Sequence, residues 1–298
     1  MSLAYRYIAH PDPRIATDRH SSGLLDDTEW NLLYAGLPRY YYHIISLFDK
    51  EKFYSFVIDF ARIALQFASA GSKDDYVLDL QTELHSRLFN AALQTSRYDI
   101  AYSTLTLFTN QALQHSSLRA LVSRMCESSS ASELIDLPFI GLQSAVDEIL
   151  AQKCQSIIDV NASVPYHKIL YAWRIRRNDF RGAAAVSLER LQKLQQSGDG
   201  DKTLGGGPGT DGLETPVTRQ YLMLINALSC VDPKQAWILS EPPPSKPGPS
   251  GSGSSVSGKR KIVTLDDARK GYQEELDRIA AIENNQFAFE GGDEMDLV

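Results

Sequence analysis

A chain of 298 residues, 43% of them hydrophobic, is long enough to bury a sizeable core as one elongated unit or as two domains. Thirty basic residues against 37 acidic ones leave a formal charge of -7, a field that repels polyphosphate, so a nucleic-acid reader would need a strongly segregated basic face. No basic region followed by an apolar stretch opens the sequence, and no run of about twenty apolar residues occurs, which sets aside a signal peptide and a membrane-spanning helix.

Residues 1–36 read as an N-terminal segment, part helix or linker. From Pro38 the apolar residues fall at helical spacing. In PRYYYHIISLF, Pro38 can open a helix, and Tyr41, Ile44, Ile45 and Phe48 stand at packing distances along it, a core pattern rather than a base-stacking platform. Phe56, Phe60, Ile63, Ala64 and Phe67 form the stripe of a second helix, and Val77, Leu80, Leu84, Leu88 and Ala91 that of a third. Tyr98, Ala101, Tyr102, Leu105 and Phe108 continue the pattern, and further periodic runs cover 118–126, 142–158, 166–176 and 180–194. No segment shows sustained strand-like alternation between hairpin turns. Short polar connections such as QTSR (94–97) favour antiparallel neighbours.

The openings RYDIAY, DFRGAA and PKQAWI each bring a small alanine in after a turn, which would let the second helix of a hairpin approach its partner closely. Their spacing is too irregular for a fixed repeat, so the expected fold is all-α, an irregular α-solenoid of stacked helical hairpins over 37–240. Cys126, Cys154 and Cys230 lie in apolar helical contexts without a CxxC pair and read as reduced, buried thiols of an intracellular protein.

Two stretches, 197–214 and 241–258, are dominated by Gly, Ser, Pro and Asp and read as a flexible loop and a disordered linker, the linker running to 263. Each is followed by a helix signal. Thr215-Pro216 supplies an N-cap and a first-turn proline, and Thr264 with Asp267 resembles a capping box. The final helix is expected over 264–285, ahead of an acidic tail over 286–298.

Several tempting sites dissolve on inspection. Gly253 to Lys259 approximates a phosphate-binding loop, but Arg260 stands where a magnesium-binding Ser or Thr belongs and no apolar strand precedes it. The six histidines form no HExxH or Cys/His zinc pattern, and no nucleophile elbow or paired carboxylates are visible, so no catalytic, cofactor or metal residues are expected. In YHKILYAWRIRRNDF, Tyr166, Ile169, Leu170 and Trp173 share one side of a helix, while Tyr171 and Ile175 lie on the other. That suits a helix sandwiched between neighbours, with Arg174, Arg176 and Arg177 near the negative end of its dipole.

YYYHIISLFDKEKFYSFVIDFARIAL, CESSSASELIDLPF, LYAWRIRRNDFRGAA, DPKQAWIL and IVTLDDARKGYQEELDRIAAI, in this order, resemble successive pieces of the C-terminal helical region of the nucleoporin 160/120 family. The resemblance covers most of the chain after Gly36. It implies a structural component of the Y-shaped coat of the nuclear pore complex at the nuclear envelope, supporting transport of mRNA and protein. It also implies that the helical region joins nucleoporin 85, and nucleoporin 96 with Sec thirteen, at the hub of the coat, without chemistry, membrane insertion or direct nucleic-acid binding. The family's β-propeller is absent from this stretch. The C-terminal part then holds the candidate partner-binding residues Tyr221, Leu222, Ile225, Trp237, Ile238, Leu276 and Ile279, which could equally cap the solenoid's own core. Nothing points to a homo-oligomer. Three other readings remain: a vesicle-coat or other helical-repeat adaptor, a nucleotide hydrolase using 253–259, and a helical-repeat RNA binder centred on Arg174 to Arg177.

Overall fold

A computed structural model describes residues 37–69, 75–157, 164–198, 215–240 and 261–283. The expected N-terminal segment, Gly-rich loop, phosphate-loop lookalike and acidic tail lie outside the described residues, apart from the few that border them. The chain divides into two compact units, Met1–Met125 and Cys126–Val298.

In the first unit, α1 (Leu37–Lys50), α2 (Tyr54–Ser69), α3 (Asp75–Gln94) and α4 (Tyr98–Leu105) pack serially, each on the next, and most of α5 (Gln111–Glu127) follows. Ile44, Ile45, Leu84, Leu88, Ala91, Ala101 and Leu105 are buried, as the periodicity predicts for α1, α3 and α4, and Phe89 is buried beside the α3 stripe. In α2 the buried side is Val57, Ile58, Ala61, Ala64 and Ala68; of the expected stripe Ala64 is buried, Phe60, Ile63 and Phe67 are half-buried, and Phe56 is exposed. Both stripes have helical spacing. The alanine side wins because small side chains let neighbouring helices approach closely, leaving the bulkier aromatics at the margin.

The second unit holds α6 (Ala131–Asp136), α7 (Gln143–Ser156), α8 (Tyr166–Arg176), α9 (Phe180–Ser197) and α10 (Pro216–Ser229), then β1 (Trp237–Ser240), β2 (Lys261–Thr264) and α11 (Leu265–Glu283). Helix α8 is the sandwiched helix that its two apolar faces require. Tyr166, Ile169, Leu170 and Trp173 are buried on one side, with Trp173 edge-on to Phe139 at 5.8 Å. Tyr171 and Ile175 pack on the other against a cluster built from α9, α10, β1 and α11.

Three hairpin turns share one build. After α1, α3 and α8 the chain passes through a left-handed residue, Lys52, Ser96 or Asn178, at φ near 60°. The next N–H then reaches back five positions: Phe53 to the Phe48 carbonyl, Arg97 to Ala92 and Asp179 to Arg174, each at 2.9 Å. This is the Schellman closure, here without the glycine that usually accommodates it. Asp179 goes on to cap α9, accepting from the Gly182 N–H at 2.9 Å. A Cβ at Gly182 would overlap that carboxylate.

The third alanine opening behaves differently. PKQAWI leads into a strand, and β1 pairs antiparallel with β2 in the register Trp237↔Thr264, Ile238↔Val263, Leu239↔Ile262 and Ser240↔Lys261. The second strand begins at Lys261, inside the stretch read as linker, and hands over directly to α11. There the expected capping box forms: the Asp267 carboxylate accepts from the Thr264 N–H at 2.9 Å, and the Thr264 hydroxyl accepts from the Asp267 N–H at 3.3 Å.

Candidate interaction surface

The expected partner residues sit on α10, the ribbon and α11. Thr215 caps α10 through a reciprocal box with Thr218, which orients Val217, Leu224, Ala227 and Leu228 into the unit's core. Tyr221 and Ile225 flank this core, partly buried, and Leu222 points outward, exposed. The Tyr221 ring lies 6.4 Å from that of Tyr272, its oxygen accepts from Gln195 Nε2 at 3.3 Å, and burial pushes its hydroxyl pKa up. Gly271 makes this approach possible, since a Cβ there would stand 3.0 Å from the Tyr221 ring. Helix α11 therefore docks in cis, on α10 of its own unit.

On the ribbon, neighbouring residues face opposite ways. Ile238 is 3% exposed and joins the core, whereas Leu239 and Ile262, directly opposite one another, are 47% and 56% exposed. The Trp237 ring is half-buried under the Arg181 guanidinium, 3.8 Å from its centroid, and Arg181 Nε donates to the Trp237 carbonyl at 3.0 Å. Gln192 Nε2 donates to Ser240 Oγ at 2.6 Å and holds the far end of β1 on α9. On α11, Ala268 and Ile279 are buried and Leu276 is half-buried; Asp266, Arg269, Lys270, Gln273, Glu274 and Asp277 form a solvated face.

The seven expected residues thus separate. Ile238 and Ile279, at 3% and 0% exposure, are packed inside the unit itself. Tyr221, Ile225, Trp237 and Leu276 are half-buried, and Leu222 is accessible. The reading of the sequence missed Leu239 and Ile262. Its only available signal was the apolar and β-branched content of two tetrapeptides, WILS and KIVT, whose partnership is set by pairing across the intervening chain.

The arginine cluster is largely engaged inside the fold. Arg174 binds Asp147 through two parallel bonds of 2.8 and 2.7 Å and donates to the Gly182 carbonyl at 2.9 Å, tying α7, α8 and the start of α9 together. Arg177 stacks 3.1 Å from the Trp173 ring centroid and donates to the Leu137 carbonyl at 3.1 Å. Arg176, 3.7 Å from Asp136, remains at the surface. An RNA-binding reading needs all three cations together, and two are committed elsewhere.

Lys193 of α9 reaches the C-terminal end of α7, donating to the Cys154 carbonyl at 2.8 Å and the Ile157 carbonyl at 3.3 Å, and pairs with Glu189 at 2.9 Å. The Glu189 carboxyl is held down to about 2 by the His167 imidazole and by Lys193. Lys193 is in direct contact, whereas His167 Nε2, at 3.7 Å, stands beyond hydrogen-bond length. Burial pushes the Cys126 and Cys154 thiols up to about 12, which removes them as nucleophiles at neutral pH. Cys230, expected to be buried, is exposed, because α10 ends at Ser229 and the thiol sits on its C-cap. Among the described residues, no group of three His, Cys, Asp or Glu could hold a metal, and no helix is long and apolar enough to cross a membrane.

A family model described as "Nucleoporin Nup120, HEAT repeats" matches residues 2–127. Nucleoporin NUP120 of Chaetomium thermophilum is 46% identical over 355 aligned residues, covering 93% of this chain and 28% of that protein. Nuclear pore complex protein Nup160 of Mus musculus is 27% identical over 245 residues, with 78% of this chain and 16% of its own length covered. Nucleoporin nup120 of Schizosaccharomyces pombe is 24% identical over 205 residues, covering 68% and 17%. The chain spans less than a third of the length of each of these relatives.

Proposed function

The chain belongs to the nucleoporin 160/120 family, and on that premise we propose that it serves as part of a scaffold of the nuclear pore complex at the nuclear envelope. The observation that carries this reading is the 46% identity to a fungal NUP120 across 93% of the chain. Its physical counterpart is a set of helical hairpins locked by partly buried ion pairs and closed turns, an arrangement suited to holding surfaces rather than transforming a substrate. The role is structural, in the outer ring of the Y-shaped coat, and supports traffic of mRNA and protein through the pore. No catalytic step is assigned to it.

At the finer level, the C-terminal part of the chain meets nucleoporin 85, and nucleoporin 96 with Sec thirteen, at the hub of the coat. Accessible Leu222, Leu239 and Ile262 are the anchors, with half-buried Tyr221, Ile225, Trp237 and Leu276 beneath or beside them. Interface energy concentrates in a few apolar anchors ringed by polar groups. Ile238 and Ile279 contribute by holding the ribbon and α11 in place.

The test is size-exclusion chromatography of the chain with the helical C-terminal portion of nucleoporin 85 and with nucleoporin 96. Co-elution is expected, with loss of co-elution in Leu239→Asp/Ile262→Asp while the circular dichroism spectrum stays unchanged. Separate elution of a folded wild-type chain from both partners would sink the hub role and leave the family assignment standing.

A further inference from the structure

The loop between α6 and α7, residues 137–142, reads LPFIGL and carries no polar side chain. Surface turns are ordinarily built from polar residues, glycine and proline. Here Ile140 is 78% exposed, Pro138 is exposed beside it, and Leu137 and Leu142 are half-buried at the base. A single apolar side chain in water carries no meaning by itself, so what counts is how firmly this one is held. The Phe139 carbonyl accepts from the Leu142 N–H at 2.9 Å and closes a turn around Ile140 and Gly141, with Gly141 at φ 74°, where such a turn favours glycine. Phe139 itself sits at φ 41°, a conformation that strains any residue with a Cβ. Its fully buried ring, edge-on to Trp173 at 5.8 Å, holds it there. Gln143 Nε2 donates to the Pro138 carbonyl at 3.2 Å, and Arg177, stacked on Trp173, donates to the Leu137 carbonyl at 3.1 Å. The loop is a braced knuckle that keeps Phe139 in and Ile140 out.

The same short stretch of chain braces the ribbon. Arg177, on the C-cap of α8, holds the knuckle, and Arg181, in the first turn of α9, holds the ring and carbonyl of Trp237 in β1. Knuckle and ribbon therefore flank one turn, with Asn178 and Asp179 exposed between them. We propose, resting on the partner contact assigned above to Leu239 and Ile262, that the same partner protein continues across this turn and seats Ile140 in an apolar groove between two of its helices. A branched side chain projecting from a rigid tip fits a groove between helices, as a knob fits a hole. Exposed Arg176, Asn178, Asp179 and Arg181 supply the polar rim that surrounds apolar anchors in protein interfaces. The charges suit a protein better than a polyanion. The exposed side chains that lead into the knuckle from α6 include Glu133 and Asp136, which repel anionic lipid and phosphate, and Arg174 and Arg177 are engaged inside the fold.

The experiment uses the whole chain, calorimetric titration with the helical C-terminal portion of nucleoporin 85 and with nucleoporin 96 as the two probes, thermal unfolding and light scattering. Ile140→Asp is expected to weaken, by about tenfold or more, the binding of the same probe that Leu239→Asp/Ile262→Asp loses. Its Tm should stay within about 2 °C of wild type, because the side chain it replaces is exposed. Ile140→Met, apolar and of similar volume, should bind nearly as wild type does. Unchanged affinity in Ile140→Asp, for a probe that the ribbon variant loses, would overturn the role of the knuckle and leave the ribbon contact standing. A loss confined to a probe that the ribbon variant still binds would overturn the single continuous partner. A wild-type chain that dimerises, and returns to monomer in Ile140→Asp, would overturn it in favour of a second copy. A folded wild-type chain that binds neither probe would remove the ribbon contact and the knuckle together. If Ile140→Asp lowers Tm further than expected, Ile140→Ser carries the same comparison.

Discussion

Arg174 and Arg176 stand two positions apart on one helix and do different things. Arg174 holds Asp147 at 2.7 Å with only 16% of its side chain exposed, whereas Arg176 faces Asp136 at 3.7 Å with both side chains largely in water. Removing one partner of a half-buried bidentate pair leaves a desolvated charge behind, so Arg174→Ala should cost about 2–3 kcal/mol in urea denaturation. Arg176→Ala should change stability by no more than about 0.5 kcal/mol. Glu189 adds a pH signature. Its folded-state pKa of about 2 lies below the ordinary 4.5, so its stabilisation is present above pH 4.5 and is lost as pH falls toward 2. Glu189→Gln should therefore be less stable than wild type at pH 7, with the difference in urea midpoint narrowing between pH 4.5 and 2. The roles of Arg174 and Arg177 were only half legible in the sequence. Their place at the end of α8 follows from the helix pattern, but their acceptors, Asp147 and the Leu137 carbonyl, lie 27 and 40 residues away and are found only by packing.

Turns and close approaches decide how the hairpins fit. Ser96 occupies a left-handed position with no stabilising glycine. Ser96→Gly should raise stability by about 0.5–1 kcal/mol, because it relieves the Cβ clash of that conformation. Gly271 presents the reverse case. A glycine inside a helix ordinarily gives up about 1 kcal/mol relative to alanine, yet here the bare backbone admits the Tyr221 ring. Gly271→Ala should yield none of the usual gain in the wild-type background and should recover it in Tyr221→Ala, a difference that paired denaturation curves would show. Helices were the most legible elements, since a 3.6-residue period is local. The exception was α2, where two stripes of equal spacing competed and the larger aromatics drew the assignment away from Val57, Ala61 and Ala68. The ribbon was illegible for a different reason: four-residue strands carry too little alternation to be seen until they are paired.

At the scale of the whole chain, the order of hairpins and the sandwiched position of α8 could be read in advance, whereas the division into Met1–Met125 and Cys126–Val298 could not. It falls within α5, where no change in composition marks it. The docking of α11 in cis has a consequence for truncation. A chain ending at residue 260 would lack β2 and α11 and uncover Ile238 and the half-buried side of Tyr221. It should unfold at lower temperature than the full chain and bind a hydrophobic dye, so surface substitutions are the safer probes of partner binding.

The ribbon also determines where the protein can be altered without harm. Ser240 and Lys261 are register partners, so the two residues that flank the intervening stretch of sequence stand side by side. Doubling the length of such a connection costs only about 0.6 kcal/mol. A fluorescent protein spliced between residues 250 and 251 should therefore leave α11 seated on α10, offering an internal label for live imaging that spares both ends of the polypeptide.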